Sequence, residues 1–145
     1  MKVEIKKVRE GAIVPKYGSQ YAAGADLYAC TDGEVIIAAG ETKVIPTGIA
    51  LALPVGYAGL IYARSGLATK SGLAPANKVG VVDCDYRGEV MVALHNHSSE
   101  SRTVNRGDRV AQLVITPYIT AAFEVCDELS ETRRGDGGFG STGKN

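Results

Sequence analysis

Short apolar segments that alternate with turn residues constrain the fold of this chain more than any other feature of its sequence. The segments are rich in Val, Ile, Leu and Tyr, recur about every ten residues and are separated by Gly, Pro, Asp or Asn. They span 2–8, 26–30, 34–38, 43–53, 57–63, 79–82, 89–96, 103–104, 109–118 and 123–126. No segment has the sustained 3.6-residue period of a long amphipathic helix. The pattern predicts an all-β fold, a jelly roll or distorted β-barrel, with one short helix at 65–70 that Ser65 can cap.

Alternation within the segment at 89–96 indicates how its two faces are used. Val90, Val92 and Leu94 share one face, and Met91 and Ala93 lie on the other. Apolar residues on both faces are typical of a strand that is covered on both sides. We therefore expect this strand to lie inside a sandwich or barrel.

Size, charge and cysteine content limit the classes of function. The 145 residues correspond to one domain, and 16 Lys and Arg balance 16 Asp and Glu, which argues against a nucleic-acid partner or an anionic membrane surface. No apolar run reaches the roughly 18–20 residues of a membrane span, and the charged N-terminal stretch does not resemble a signal peptide. Cys30, Cys84 and Cys126 are widely spaced, as expected in a reducing compartment. These features predict a cytoplasmic protein.

The C-terminal segment differs in composition from the rest of the chain. After residue 128 it is rich in glycine and contains only Leu129 and Phe139 as large apolar residues. It cannot bury enough surface to order itself, so we expect a β-barrel domain over 1–128 and a mobile C-terminal arm over 129–145. The sequence RGDGGFGSTG at 134–143 nevertheless combines unobstructed backbone N–H groups, hydroxyls, an arginine and an aromatic ring. Those groups can cradle a phosphate and cover a base.

Four earlier segments place polar side chains near strand ends. They are AGADLYA at 23–29, RSGLA at 64–68, GVVDCDYRGE at 80–89 and GDRVAQLV at 107–114. The second offers a guanidinium, a hydroxyl and the first amides of a helix, which favour an anion. The third runs from an apolar strand through two carboxylates and a tyrosine into a second strand, which predicts a hairpin. The fourth places Gln112 in an otherwise apolar strand.

These five segments, in this order and spanning residues 23–143, resemble the five motifs of the trimeric deoxyuridine triphosphatase (dUTPase) family. The resemblance implies a jelly-roll subunit in a homotrimer with three active sites at subunit interfaces. Each site would use motifs of two subunits and be covered by the arm of the third. The implied reaction is the Mg²⁺-dependent hydrolysis of dUTP to dUMP and pyrophosphate, which keeps uracil out of DNA and supplies dUMP for thymidylate synthesis.

The resemblance also implies roles for two carboxylates. Asp83 would position the water that attacks the α-phosphate, since a carboxylate can orient a water and accept its proton. Without the motif, an Asx turn is the simpler interpretation of Asp83. Asp26 would lie near Mg²⁺ and bind it through water, or would pair with Arg64, and both alternatives stay open.

The remaining implied contacts involve the base, the sugar and the phosphates. Asn77 and the backbone of Val81, Val82 and Met91 would receive uracil, and Tyr86 would stack under the deoxyribose and leave no room for a 2′-hydroxyl. Without the motif, Asn77 is a turn residue and Tyr86 an aromatic that packs on the core. Phe139 would cover the uracil. The phosphate-binding set would comprise Arg64, Ser65, Gly66, Gln112, Arg134, Gly140, Ser141 and Thr142.

Two other functions compete with this interpretation. A dCTP deaminase resembles a dUTPase in its strand motifs but would deaminate the base. A non-catalytic nucleotide-binding module could keep the fold without turnover. The complete C-terminal motif and the Tyr86-Arg87 pair favour the hydrolase, and Asp83 and Arg64 argue against a module that has lost catalysis.

Overall fold

The computed structural model describes residues 1–138, which form a jelly-roll-like β fold with a single seven-residue helix. The strands are β1 (Glu4–Lys7), β2 (Lys16–Tyr17), β3 (Ala25–Tyr28), β4 (Val35–Ile37), β5 (Thr42–Pro46), β6 (Ile49–Ala52), β7 (Tyr57–Tyr62), β8 (Leu73–Pro75), β9 (Gly80–Val82), β10 (Met91–Asn96), β11 (Arg102–Val104) and β12 (Arg109–Pro117), and helix α1 spans Ser65–Ser71. The predicted all-β class and the short helix are confirmed.

Four antiparallel sheets are formed by these strands. The largest has the order β2-β3-β12-β7-β9, the second has the order β5-β10-β8, and two further pairs are β1-β6 and β4-β11. Sequence neighbours are seldom sheet neighbours, as a jelly roll requires. The hydrogen bonds within residues 1–138 do not close these sheets into one continuous barrel.

One apolar core joins the sheets. Strands from all four contribute fully buried side chains to it, among them Leu27, Ile37, Ile45, Ile49 and Leu94. Burial of a side chain of this size contributes about 1.5–3 kcal/mol, so the core holds the sheets together without a disulfide, and all three cysteines are free. None of the helices in the described part of the chain is long and apolar enough to cross a membrane.

Helix α1 begins as predicted but is capped differently. Arg64, not Ser65, occupies the N-cap position, and its side chain makes no capping hydrogen bond. Gly72 ends the helix with φ 68°, a left-handed conformation that glycine adopts without strain. Because Arg64 does not cap, its guanidinium is available for contacts outside the helix.

Three expectations about strands were wrong. Residues 118–138 contain no regular strand, so the strand expected at 123–126 is absent, and Phe123 and Val125 are 98% and 100% exposed because no sheet edge lies beside them. The residues at 80–96 do not form a hydrogen-bonded hairpin, since β9 pairs with β7 and β10 pairs with β5 and β8. The second face of β10 is also only partly covered, because Met91 is 48% exposed and Ala93 and His95 are half-buried.

Candidate active site

The separation of β9 from β10 opens a pocket between them. A turn closed by the 3.2 Å hydrogen bond from Tyr86 N to Asp83 O precedes β10, and the two strands then diverge into different sheets. The pocket has a volume of about 240 Å³. Its lining includes Ile61, Asn77, Gly80, Val81, Val82, Asp83, Tyr86, Glu89, Val90 and Met91. The structure thus brings together the five residues expected to contact base and sugar, and places Asp83 with them.

The walls of this pocket offer apolar surface and a free strand edge. Val81 is 63% exposed, although the residues on either side of it are buried. Within residues 1–138, the edge of β9 that faces away from β7 pairs with no other strand. Backbone donors and acceptors on such an edge are available to a ligand that replaces a strand. A flat base with alternating donors and acceptors is a ligand of this kind.

Asp83 lies where β9 ends, at the mouth of the pocket. Its backbone carbonyl, not its side chain, closes the turn with Tyr86. Among residues 1–138, no hydrogen bond or ion pair involves the Asp83 carboxylate, and the residue is exposed. The interpretation of Asp83 as the side-chain acceptor of an Asx turn is therefore wrong. The carboxylate is instead available to orient a water.

Glu89 anchors the far end of the same turn. Its Oε1 accepts a 2.7 Å hydrogen bond from Arg9 Nε and a 2.8 Å bond from the backbone N–H of Gly48. The Tyr86 hydroxyl donates to the Glu89 carbonyl oxygen at 3.0 Å. Arg87 closes the middle of the turn, where its Nη1 donates to the Cys84 carbonyl oxygen at 2.7 Å. The turn that carries Asp83 is therefore fixed at both its centre and its end.

Stability should depend on pH through Glu89. The hydrogen bond from Arg9 holds the pKa of Glu89 below its usual value, with help from the Gly48 N–H and against the opposing effect of burial. Since the folded-state pKa is the lower one, the stabilisation is complete above the unfolded-state pKa of about 4.3 and is lost as pH falls through the folded-state value. Glu89→Gln should lower Tm most near pH 7, and the deficit should shrink below about pH 4. Thermal unfolding of both proteins from pH 3 to 7 measures this difference in Tm.

A matched variant separates this effect from general loss of charge. Glu34 is exposed, and its carboxylate has no partner among the described residues. Glu34→Gln should leave Tm unchanged across the same pH range. A constant Tm deficit of Glu89→Gln at every pH would contradict the assignment to the ion pair.

A second cluster contains the residues expected to bind phosphates. Arg64 Nε donates to Asp26 Oδ1 at 2.7 Å, and Arg109 Nη1 donates to Asp26 Oδ2 at 3.2 Å. Arg64 Nη1 lies 3.4 Å from the Arg109 carbonyl oxygen. Two guanidiniums thus share one carboxylate, which leaves a net positive charge. The expected pairing of Asp26 with Arg64 is therefore present in the structure.

Gln112 lies beside this cluster in the sheet register. It is paired with Asp26 on one side and with Tyr62 on the other. Its Nε2 donates to the Ala63 carbonyl oxygen at 2.9 Å. A Cβ atom at Gly24 would come within 2.5 Å of the Gln112 side-chain oxygen, so glycine there leaves the space that the amide occupies. Ser65 and Gly66 are exposed in the first turn of α1 next to Arg64.

Arg109 is the residue of this cluster that the sequence analysis missed. Arg109 lies inside the segment GDRVAQLV, but its partner, Asp26, is 83 residues away in the sequence. The irregular register between β3 and β12 at residues 109–111 allows Arg109 to reach Asp26. A basic residue at the first position of a strand that carries a polar residue was the available signal.

The two clusters are separate within one chain. Arg64 and Arg109 line a pocket of about 310 Å³ that shares no lining residue with the pocket of Asp83. In the C-terminal arm, Arg134 Nε donates to the Gly137 carbonyl oxygen at 2.8 Å. Phe139, Gly140, Ser141 and Thr142 lie outside the described residues. In one chain, the residues expected to contact the base therefore line one pocket, and Arg64, expected to bind phosphate, lines another.

The side chains present fit a hydrated metal ion better than a tightly held one. Among residues 1–138, no three His, Cys, Asp or Glu side chains form a group that could hold an ion together. Both oxygens of Asp26 already accept hydrogen bonds from arginine. Mg²⁺ commonly keeps several waters and takes phosphate oxygens as ligands. Asp26 could still accept a hydrogen bond from a water of such an ion.

Comparison with known proteins places the chain. A family model described as dUTPase matches residues 10–143. The deoxyuridine 5′-triphosphate nucleotidohydrolase of Syntrophotalea carbinolica is 50% identical over 141 residues, which cover 97% of this chain and 96% of that protein. The protein of the same name from Desulfitobacterium hafniense is 50% identical over 146 residues, 99% of this chain and 97% of its own length.

Solved structures agree with this placement. The dUTPase of Staphylococcus bacteriophage 80alpha, determined with dUpNHpp, superposes with a TM-score of 0.90 at 26% identity and covers 99% of both chains. The dUTPase of phage phi11 of S. aureus, whose structure describes the coordination of a structural Mg(II) ion, has a TM-score of 0.78 at 25% identity and covers 88% of this chain and 98% of its own. Fold, motif order and sequence identity agree, and this chain belongs to the dUTPase family.

Proposed function

We propose that this chain hydrolyses dUTP to dUMP and pyrophosphate, and so keeps uracil out of DNA and supplies dUMP for thymidylate synthesis. Family membership supports the reaction class. The observation that carries the assignment of chemistry is the Asp83 carboxylate, which has no partner among residues 1–138 and stands at the mouth of a base-sized pocket.

In the proposed mechanism, Asp83 acts on water. Its carboxylate accepts a hydrogen bond from a water molecule and takes up the proton as the water oxygen attacks the α-phosphorus in line with the leaving group. The bond from the α-phosphorus to the bridging oxygen breaks, and pyrophosphate leaves. Fixing the water and the phosphorus in one geometry removes much of the entropic barrier. The anchored turn between Asp83 and Glu89 provides that geometry.

Base and sugar selection follow from the same pocket. Asn77 and the free edge of β9 offer donors and acceptors to the uracil edge, with the backbone of Val81, Val82 and Met91 as the walls. On the same edge, cytosine carries a donor where uracil carries an acceptor and an acceptor where uracil carries a donor. Each mispaired buried group costs about 1–3 kcal/mol. Tyr86 supports the deoxyribose and excludes a 2′-hydroxyl.

The triphosphate is assigned to the second cluster and the arm. Its proposed donors are Arg64, Ser65, Gly66, Gln112, Arg134, Gly140, Ser141 and Thr142, with Phe139 over the uracil. Asp26 and Arg109 orient the Arg64 guanidinium. Mg²⁺ is the proposed cofactor, and it would neutralise charge that builds on the leaving group. Asp26 would hold it through a bound water.

Separation of the two clusters supports a shared site. The base pocket and the phosphate cluster use different surfaces of one chain. A complete site therefore needs a second copy of the chain. We propose a homotrimer with three such sites. We also propose that residues 1–128 form the domain and 129–145 a mobile arm that closes a site. A cytoplasmic location is consistent with three free thiols.

Arg64→Lys should raise KM for dUTP about tenfold while the charge is retained. Lysine has a single nitrogen and cannot reproduce the two separate donors, Nε and Nη1, that the planar Arg64 guanidinium directs at Asp26 Oδ1 and the Arg109 carbonyl oxygen. Steady-state kinetics measure the change. Arg106→Lys is the matched control, because among residues 1–138 the Arg106 side chain hydrogen-bonds only to the Glu10 carbonyl oxygen and lines neither pocket. Equal KM values for the two variants would contradict the role of Arg64.

Product analysis tests the proposed reaction. The protein is incubated with Mg²⁺ and each of dUTP, dCTP, dTTP and UTP, and nucleotides and pyrophosphate are quantified. We expect dUMP and pyrophosphate from dUTP alone. Deoxyuridine nucleotides from dCTP would identify a deaminase. Absence of turnover in folded protein would leave a nucleotide-binding module.

A further inference from the structure

Tyr86 is folded back over its own turn and held there at its hydroxyl. The hydroxyl donates to the Glu89 carbonyl oxygen at 3.0 Å. Glu89 cannot move freely, because its carboxylate is bonded to Arg9 and to the Gly48 N–H. The tip of the ring is therefore tied to a fixed point three residues further along the chain. Tyr86 as a whole is 43% exposed, and it lines the base pocket.

Gly88 lies directly against that ring. A Cβ atom built on Gly88 would lie 2.5 Å from Tyr86 Cζ and 2.9 Å from Cε2, and would also overlap the hydroxyl oxygen. The φ angle of Gly88 is outside the left-handed region, so its backbone does not require glycine. Glycine is needed there for space alone. Because the overlap is with a side chain held at its tip by one hydrogen bond and not with backbone, an added methyl group would displace the ring and not the sheet.

We infer that Gly88 is a specificity-determining residue, which selects deoxyribose over ribose by allowing the Tyr86 ring to lie in the plane that excludes a 2′-hydroxyl. It is a positioning residue, since it acts through Tyr86 and does not itself line the base pocket. The inference deepens the proposed dUTP hydrolysis and rests on it. Discrimination between sugars is a difference in transition-state contacts, so a shift of the ring changes it directly.

Gly88→Ala tests this through selectivity. We expect the ratio of kcat/KM for dUTP to that for UTP to fall about tenfold or more, with Tm kept close to that of the unaltered protein because Gly88 is exposed. Gly33→Ala is the matched control, since nothing lies within 4 Å of a Cβ atom there. Its ratio should stay within about twofold of the original. An unchanged ratio in folded Gly88→Ala would overturn the inference.

A double variant shows whether the effect passes through the ring. In Tyr86→Ala, the ring that Gly88 accommodates is gone, so addition of Gly88→Ala should change the ratio no further. Equal effects of Gly88→Ala in both backgrounds would overturn the inference by showing that the backbone, not the ring, responds. If the unaltered protein does not hydrolyse dUTP, the proposed function fails, whereas normal hydrolysis with unaltered selectivity in Gly88→Ala rejects only this inference.

Discussion

Asp83→Asn should lower kcat for dUTP by about 10²- to 10⁴-fold, which is the usual contribution of a general base. Asparagine keeps the shape of the side chain but cannot accept the proton of the attacking water. The fold should be unaffected, because within residues 1–138 the Asp83 carboxylate makes no hydrogen bond and the turn is closed by the backbone carbonyl. Single-turnover kinetics and a Tm measurement on the same preparation provide both values.

Two comparisons sharpen that result. Affinity for a non-hydrolysable dUTP analogue should change little in Asp83→Asn, because the loss concerns the chemical step. Asp85→Asn changes a carboxylate two residues away that does not line the pocket, and it should keep most of the activity. Turnover near that of the unaltered protein in Asp83→Asn would reject Asp83 as the base.

Deletion of residues 134–145 should lower kcat/KM for dUTP about 10²-fold or more, because it removes several donors that would stabilise the charged transition state. The folded domain should tolerate the deletion. Residues 118–136 are exposed, with Ile119 93% and Leu129 88% exposed, and the apolar core ends within β12. Tm and the oligomeric mass in solution should therefore match those of the full chain.

A shorter truncation serves as the control for this experiment. Deletion of residues 144–145 keeps the whole motif at 134–143 and should leave kcat/KM unchanged. Full activity after deletion of 134–145 would mean that the arm takes no part in catalysis. Loss of activity together with a lower Tm would assign the segment to the fold and contradict its role as an arm.

The strand pattern was readable from the sequence because apolar side chains at alternate positions require a buried face. This logic failed at residues 123–126, where the alternation is present but no sheet edge lies beside Phe123. It also failed at Met91, which has the same apolar character as its neighbours but faces a pocket. Local pattern indicates that a strand is possible, and only tertiary partners decide whether it forms.

For the site, the sequence provided the residue types but not their pairing. Asp26 and Arg64 are 38 residues apart, and only the folded structure shows that their side chains pair. Arg109 joins them through an irregularity in the register of β3 and β12, which no spacing rule predicts. The divergence of β9 and β10 was equally hidden, because a turn with two carboxylates and a tyrosine is typical of an ordinary hairpin.

The most direct test of the central claim is the position of the solvent oxygen in the products. The protein is supplied with dUTP and Mg²⁺ in water labelled with ¹⁸O, and both products are analysed by mass spectrometry after a single turnover. Attack of the Asp83-bound water on the α-phosphorus places the label in dUMP and none in pyrophosphate. Label in pyrophosphate would place the attack on the β-phosphorus and contradict the account.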